Sequence, residues 1–453
     1  MSLYLYCAAA IPLLLYGAAV AALAAALFGK NRQYGLSGNI YDSNGDCIND
    51  DDLPGVSIII PFRNEEENLP ALLESLKAQN YTGMMEVVFV NDRSEDSGVD
   101  VIKNYINYIN INNINNNKNI LENIVIKNSH YNNAISFKII DLQFSYDINL
   151  TSKQQALEHG VSESSHPLLL FTDADMVLAP NWAETLARSH LASGADLVFG
   201  HTSISRKGNF RRLFTLFESY QLEFLFAFAY AFSRLNLTGS CMGNNLLIAR
   251  EAYIKCGGQR GAGYSIVEDR ALLELLRKRG FKTAAAEPFH VTAHTLPSRA
   301  WKQFFHQTTR WARGGLRPGG GLFWAGLLLL IQNFAFLPVI WGTILPANYP
   351  APAQPACLMF MPETAAALAA INFLLTWAFL ALAFGKARSP APRLLYPAYY
   401  LFMMAETIVF ALSLAFGRKI EWKGRDLSTR NGAKKNNPYQ QTGILGGNAG
   451  GPK

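Results

Sequence analysis

Leu168-Leu169-Leu170-Phe171-Thr172-Asp173-Ala174-Asp175 is the stretch on which the fold turns. A short apolar run of this kind reads as a buried strand. It ends in two carboxylates one residue apart, at the place where open α/β sheets bind ligands, outside the carboxyl ends of their strands. Two hard oxygen donors so close together suit Mg²⁺ or Mn²⁺, ions that commonly hold substrate phosphates. Taken alone, the same residues could be a strand followed by an Asp-containing turn. The surrounding chain has to decide.

Working upstream, Val56-Ser57-Ile58-Ile59-Ile60 reads as another buried strand, followed by Pro61-Phe62-Arg63-Asn64-Glu65. A helical pattern then runs through Leu69, Leu72, Leu73 and Leu76. Glu86 to Val90 is a further strand, closed by Asn91-Asp92-Arg93-Ser94. Strand, helix and strand in this order form a βαβ unit, parallel and right-handed. Residues 104–133 interrupt the pattern with thirteen Asn in thirty positions, a compositional bias that marks an insertion. Regular structure resumes at Ile135 to Leu142, and Ser152-Lys153-Gln154-Gln155-Ala156-Leu157 opens a helix before the stretch quoted above.

Downstream, Leu197 to Gly200 reads as a strand. Residues 210–234 hold nine aromatic side chains interrupted by charges. They read as an amphipathic helix at a membrane interface or lining an acceptor groove, with an ordinary core helix as the other reading. Small residues and paired amides at 238–245 precede a further apolar strand. Glu268-Asp269 starts a helix that Gly280 ends. A last helix, over 299–314, places Gln307, Arg310 and Trp311 on one face.

The 453 residues are 50% hydrophobic and only 16% charged, against a usual charged share of about 25%. The deficit is local: Met1 to Gly29 and Pro318 to Pro362 carry no charge. Residues 3–28 are long enough to span a bilayer, and so are 321–344, 364–385 and 394–417. The first has no positive n-region, and Lys30 and Arg32 follow it, so it reads as an anchor with the next domain in the cytosol. The division expected is therefore an anchor over 1–29, a linker over 30–55, an α/β domain over 56–320, membrane segments over 321–417 and a polar tail over 418–453. The tail carries Arg418, Lys419, Lys423 and Arg425. An odd number of crossings after the domain would put it outside, against the positive-inside rule, unless 394–417 is re-entrant. The net charge of +6 sits beside the apolar segments and gives no sign of nucleic-acid binding. Cys7, Cys47, Cys241, Cys256 and Cys357 lack any C-x-x-C spacing, which argues against a zinc site or a disulfide framework.

Strand–Pro61–x–x–Asn64–Glu65, strand–Asn91–Asp92–x–Ser94, strand–Asp173–x–Asp175, Glu268-Asp269 and Gln307-x-x-Arg310-Trp311, in that order and beside apolar spans, resemble the membrane-bound family 2 glycosyltransferases. That group includes cellulose and hyaluronan synthases and ceramide glucosyltransferase. The resemblance covers roughly residues 53–320. It implies an α/β fold of the GT-A type in the cytosol, at a cell membrane crossed several times. It also implies an inverting transfer of sugar from a nucleotide diphosphate sugar to a membrane-held acceptor.

Carried over by motif, Pro61 and Glu65 border the nucleoside, Asp92 holds the base and Lys153 lies near the nucleotide. Asp173 and Asp175 take the sugar nucleotide and its Mg²⁺ or Mn²⁺. Asp269 is the general base. Gln307, Arg310 and Trp311 lie by the diphosphate and the acceptor. Thr151-Ser152-Lys153 departs from the Gly-containing Lys segment of many relatives.

Physical reasoning runs the same way. A leaving diphosphate develops negative charge that a divalent ion, Arg310 and Lys153 can stabilise. Inversion needs one carboxylate base, where glycoside hydrolysis needs two. Asp269 could also be favourable first-turn charge, and Glu406, inside an apolar segment, is a functional candidate unless that segment is interfacial. The expected acceptor is a lipid or a glycan and the donor a UDP-hexose. Processive polysaccharide synthesis, or a non-catalytic membrane scaffold, are the alternatives.

Overall fold

The structure is a computed structural model whose described residues are 14–26, 40–41, 47–48, 53–113, 124–127, 134–142, 147, 149–205, 213–237, 239–286, 291–315, 327, 362–387, 396–415, 421–422 and 425–426. In chain order, the elements that build the body begin with β1 (Val56–Phe62), α1 (Leu69–Lys77), β2 (Met85–Asn91), α2 (Gly98–Asn113), β3 (Ile124–Lys127), β4 (Ala134–Asp141), α3 (Ser152–Ser162) and β5 (Leu168–Phe171). Next come β6 (Met176–Leu178), α4 (Trp182–Ser193), β7 (Leu197–Phe199), β8 (His201–Ile204), α5 (Leu213–Arg234) and β9 (Leu246–Ala249). The last are α6 (Glu268–Lys278), β10 (Thr283–Ala285), β11 (Val291–Thr295), α7 (Trp301–Gly315), α8 (Pro362–Ala387) and α9 (Tyr396–Ala415).

The main sheet has the order β10-β7-β9-β5-β1-β2-β4-β3. Its centre, β5-β1-β2-β4, is parallel. β9 runs antiparallel between β5 and β7, and β3 is an antiparallel edge. From β1 the chain moves to β2 and β4 on one side, then returns to β5 on the other. The carboxyl ends of β1 and β5 therefore flank a topological switch point, where such sheets form a ligand crevice. A small sheet, β8-β11-β6, stands beside it.

Side chains of the parallel strands alternate strictly between two cores. Ile58 and Ile60, Val87 and Phe89, and Leu168 and Leu170 bury against one set of helices. Ile59, Val88, Val90, Leu169 and Phe171 bury against the other. A strand covered on both faces has no solvated side, which is why these runs are apolar without a break. Gly160 lets α3 lie close on the sheet: a Cβ there would sit 2.5 Å from the Ile59 Cγ2.

The Asn-rich stretch is not uniform. Its first ten positions continue α2, which buries Ile102, Ile106 and Ile109 on one face, and Ile124 to Lys127 pair with β4. The helix over 14–26 and α8 and α9 contribute Tyr16, Val20, Phe379, Leu380, Tyr399 and Met403 to the same core as α5. Among the described residues, no helix is long and apolar enough to cross a membrane. The span expected over 321–344 lies, except for residue 327, outside the described residues, as does the tail beyond 426.

Candidate active site

Three strand ends aim the first residues of the site. β1 contains Pro61 and leads to Glu65, β2 leads to Asp92, and β5 leads to Asp173 and Asp175 with Ala174 buried between them. The turns after β1 and β2 each hold a non-glycine residue in the left-handed region, Asn64 at φ 53° and Arg93 at φ 56°. Such a conformation persists only when neighbours enforce it. Here the two turns are bonded to each other. Asn64 Oδ1 accepts from the Glu95 amide at 2.8 Å, the Asn64 amide donates to Ser94 Oγ at 3.1 Å, and Glu66 Oε2 accepts from the Ser97 amide at 3.0 Å. Asp92 is buried, and its Oδ1 accepts from Arg93 Nη2 at 2.6 Å and Nε at 3.0 Å.

α3 begins with a capping box, in which Thr151 Oγ1 accepts from the Gln154 amide and Gln154 Oε1 accepts from the Thr151 amide. This fixes the helix start and with it Lys153 in the first turn. Lys153 Nζ lies 2.7 Å from Asp173 Oδ1 and 2.8 Å from Glu268 Oε1. Burial opposes its charge, but Asp173 and Glu268 outweigh that and hold the ammonium well above the usual lysine range.

Glu268 and Asp269 occupy the first turn of α6, where the helix dipole favours negative charge. Asp269 Oδ2 accepts from the Gly243 amide at 2.7 Å and Oδ1 accepts from the Arg270 amide at 2.7 Å. Burial, and then the Glu268 carboxylate, push its pKa up to about 6, against the opposing pull of Lys153 and of the two amides. A carboxylate with that affinity is ionised at neutral pH and still takes a proton readily, which suits a general base.

α7 carries Gln307, Arg310 and Trp311 and is locked onto the start of α6. A Cβ on Gly314 would lie 2.1 Å from Val267 Cγ2, so only glycine permits this approach. Arg270 Nη1 donates to the Gly314 carbonyl at 3.1 Å, and Arg310 Nη1 to the Ile266 carbonyl at 3.4 Å. Before α7, Glu218 on α5 receives the Ser298 amide at 2.9 Å and the Ser298 hydroxyl at 2.6 Å. Arg299 pairs with Glu67 in the turn after β1.

All the site residues named from the sequence line one cavity of about 1430 Å³: Pro61, Glu65, Asp92, Lys153, Asp173, Asp175, Asp269, Gln307, Arg310 and Trp311. The cavity continues past them to an apolar limb walled by Tyr16, Val20, Leu23, Phe224, Phe228 and Met403. Two functional contributors escaped the sequence reading. Glu268 was visible only as half of a motif, yet it shares Lys153 with Asp173. Gly243 lies in the small-residue segment 238–245, and a Cβ there would meet Asp269 Oδ2 at 2.6 Å. The glycine was readable; its partner was not.

Among the described residues, no group of three or more His, Cys, Asp or Glu side chains could hold a metal ion. Asp173 and Asp175 nonetheless fit the small share of ligands a protein gives Mg²⁺, one or two carboxylates completed by water and substrate phosphates. The ammonium of Lys153 already occupies a cation's place against Asp173.

The chain matches the model of "Glycosyl transferase family 2" over residues 57–122 and that of "Glycosyl transferase family 21" over residues 134–435. It is 25% identical to an N-acetylglucosaminyltransferase of Mesorhizobium japonicum over 63% of this chain and 61% of the relative. It is 22% identical to ceramide glucosyltransferase 1 of Caenorhabditis elegans over 58% of this chain and 51% of the relative. The chain thus spans little more than half the length of these curated relatives. Among solved structures, a mannosyltransferase from Pyrobaculum calidifontis in complex with GDP-Man and Mn²⁺ aligns with 92% of this chain and 100% of its own, at 14% identity and a TM-score of 0.49. With well over half of its residues inside one family model, from 134 to 435, the chain belongs to glycosyl transferase family 21.

Proposed function

We propose that this protein is an inverting, metal-dependent glycosyltransferase of GT-A type, moving a sugar from a nucleotide diphosphate sugar, a UDP-hexose, to a membrane-held lipid. One observation carries the reading: a single cavity joins a polar end with Asp92, Lys153, Asp173 and Asp175 to an apolar end with Val20, Phe228 and Met403, and Asp269 lines the same cavity. A donor with a charged diphosphate and an acceptor with an apolar body need such a two-ended site. The relatives named as N-acetylglucosaminyltransferase and ceramide glucosyltransferase support the class of reaction.

In this reading the turns after β1 and β2 hold the nucleoside. A divalent ion held by Asp173 and Asp175 would neutralise charge on the departing diphosphate. Lys153 and Arg310 bring positive charge to the same end. Asp269 takes the proton from the attacking acceptor hydroxyl, on the face of the sugar opposite the leaving group. Its paired amide donors fix the carboxylate so that one geometry serves each turnover.

The protein would lie at a cell membrane with the catalytic body on the cytoplasmic side. Exposed Leu14 and Leu15, Leu374 and Trp377 on α8, and Leu401 and Leu412 on α9 support contact with lipid. The test is a screen of nucleotide sugars with detergent-solubilised protein and lipid acceptors, with and without Mg²⁺ or Mn²⁺. Asp269→Asn should lower transfer by about a hundredfold to ten-thousandfold, the usual worth of a positioned base, while nucleotide binding persists. Normal turnover by that variant would remove Asp269 from the role. A ladder of products by mass spectrometry would replace single transfer with polymer synthesis.

A further inference from the structure

Gln154 completes the capping box of α3, yet the cap uses only one of the four hydrogen bonds its side chain makes. That side chain is fully buried. Gln154 Oε1 accepts from the Thr151 amide at 3.0 Å and from the Ser265 amide at 3.1 Å. Gln154 Nε2 donates to the Gly263 carbonyl at 2.7 Å and to Gln259 Oε1 at 3.2 Å. Two backbone N–H groups at one end and a backbone carbonyl at the other fix which end of the amide is oxygen. A glutamate here would serve the capping box equally well, but an ionised carboxylate has no hydrogen to donate. Three of the four bonds cross to residues 105, 109 and 111 positions further along the chain.

The segment they reach, 259–267, leads directly into α6. Ser265 Oγ accepts from the Val267 amide at 3.2 Å and donates to the Val267 carbonyl at 2.9 Å, which holds the residues just before Glu268. α7 clasps the same segment through Gly314 and Arg310. One helical turn beyond Gln154, Glu158 Oε1 accepts from the Gln259 amide and the Tyr253 hydroxyl, a second tie from α3. Lys153, next to Gln154, meets Glu268 at 2.8 Å. Gln154 thus binds together the two stretches of chain whose side chains form that contact. We infer that Gln154 is a positioning residue: it fixes the start of α6 against α3, sets the Lys153–Glu268 contact, and through that contact holds Asp269 where it can deprotonate the acceptor hydroxyl. This rests on the role proposed above for Asp269. Gln154 does not itself line the cavity, so it acts only through these neighbours.

The experiment compares Gln154→Met with the wild type in detergent, using the nucleotide sugar and acceptor found by the screen above. Methionine keeps the length of the side chain and removes both hydrogen-bonding ends. Counted per nucleotide-binding site, kcat should fall by about tenfold to a hundredfold, as a misplaced catalytic group costs, while KM for the nucleotide sugar stays within about threefold. Hydrogen exchange of peptides covering 259–267 should rise, because the Ser265 amide loses its acceptor. The decisive readout is a double-mutant cycle. In a Lys153→Met background, adding Gln154→Met should lower kcat by no more than about twofold, since the contact it sets is already gone. Should Gln154→Met fold poorly, Gln259→Met removes one bond only and takes its place, with a smaller loss and the same coupling. An equal fractional loss in both backgrounds, an unchanged kcat in the single variants, or unchanged exchange over 259–267 overturns the inference and leaves the transferase reading standing. A fall in activity matched by a fall in nucleotide-binding sites marks a purely structural tie, and also overturns it. Absence of transfer by the wild type, or normal turnover by Asp269→Asn, defeats the reading on which the inference rests and the inference with it.

Discussion

At Asp269 two opposing influences set the proton affinity. Burial and the neighbouring Glu268 raise it to about 6 from the ordinary 3.8, while Lys153 and two backbone amides hold it down. Because the folded value lies above the unfolded one, the proton is bound more tightly in the folded state. The stabilisation this gives is complete below pH 3.8 and is lost as pH rises through about 6. If Asp269 is the general base proposed above, activity runs the opposite way, since only the ionised carboxylate accepts a proton. The acid limb of kcat/KM should fall near pH 6. Glu268→Gln removes the like charge and should move that limb to lower pH. Lys153→Met removes the opposite charge and should move it higher. A limb unmoved in both variants would assign it to another group. Gly243→Ala is expected to displace the Asp269 carboxylate, because the added methyl group would meet it inside contact distance. Transfer should drop at least tenfold while the KM for the nucleotide sugar changes little, measured by initial rates. That contact joins residues 26 apart in sequence, and no local pattern announces it. Asp269 itself was legible through its motif, and Lys153 through a motif that departs from the usual form.

At the scale of elements, the apolar strands were legible because both their faces are buried and their composition says so. Two features were not. β8 and β11 contain His201, Thr202 and Ser203 and Thr292 and His294, so their polarity hid them, although their parallel pairing brings Ser203 opposite His294. The reversal of β9 between β5 and β7 also left no trace, since a buried antiparallel strand has the same composition as a parallel one. α3 serves the site by presenting Lys153 from its first turn. Thr151→Ala should cost about 1 kcal/mol through the lost cap. It should also loosen Lys153, weakening donor affinity along with the unfolding midpoint. Gly160→Val, further along the same helix, should cost about 1–3 kcal/mol by overpacking, by pressing on Ile59 and Val90. Thermal unfolding followed by circular dichroism reads both, and a Gly160→Val protein as stable as the wild type would contradict the close approach.

For the molecule as a whole, the edge strand β3 has a consequence for solution behaviour. It supplies antiparallel partners to Ala134 through Phe137 and so covers the outer side of β4. An uncovered strand edge is a template for pairing with another chain. Replacing residues 114–123 with a short flexible linker keeps β3 and should leave the protein monodisperse in detergent. Replacing 114–133 removes β3 and exposes β4, and that protein should self-associate as its concentration rises, which light scattering would report. Equal behaviour of the two deletions would mean that β4 needs no cover. If instead only the longer deletion self-associates, the asparagine-rich stretch, read from composition as an insertion, has a second effect besides lengthening a connection: by delivering β3, it keeps copies of this enzyme from joining sheet to sheet.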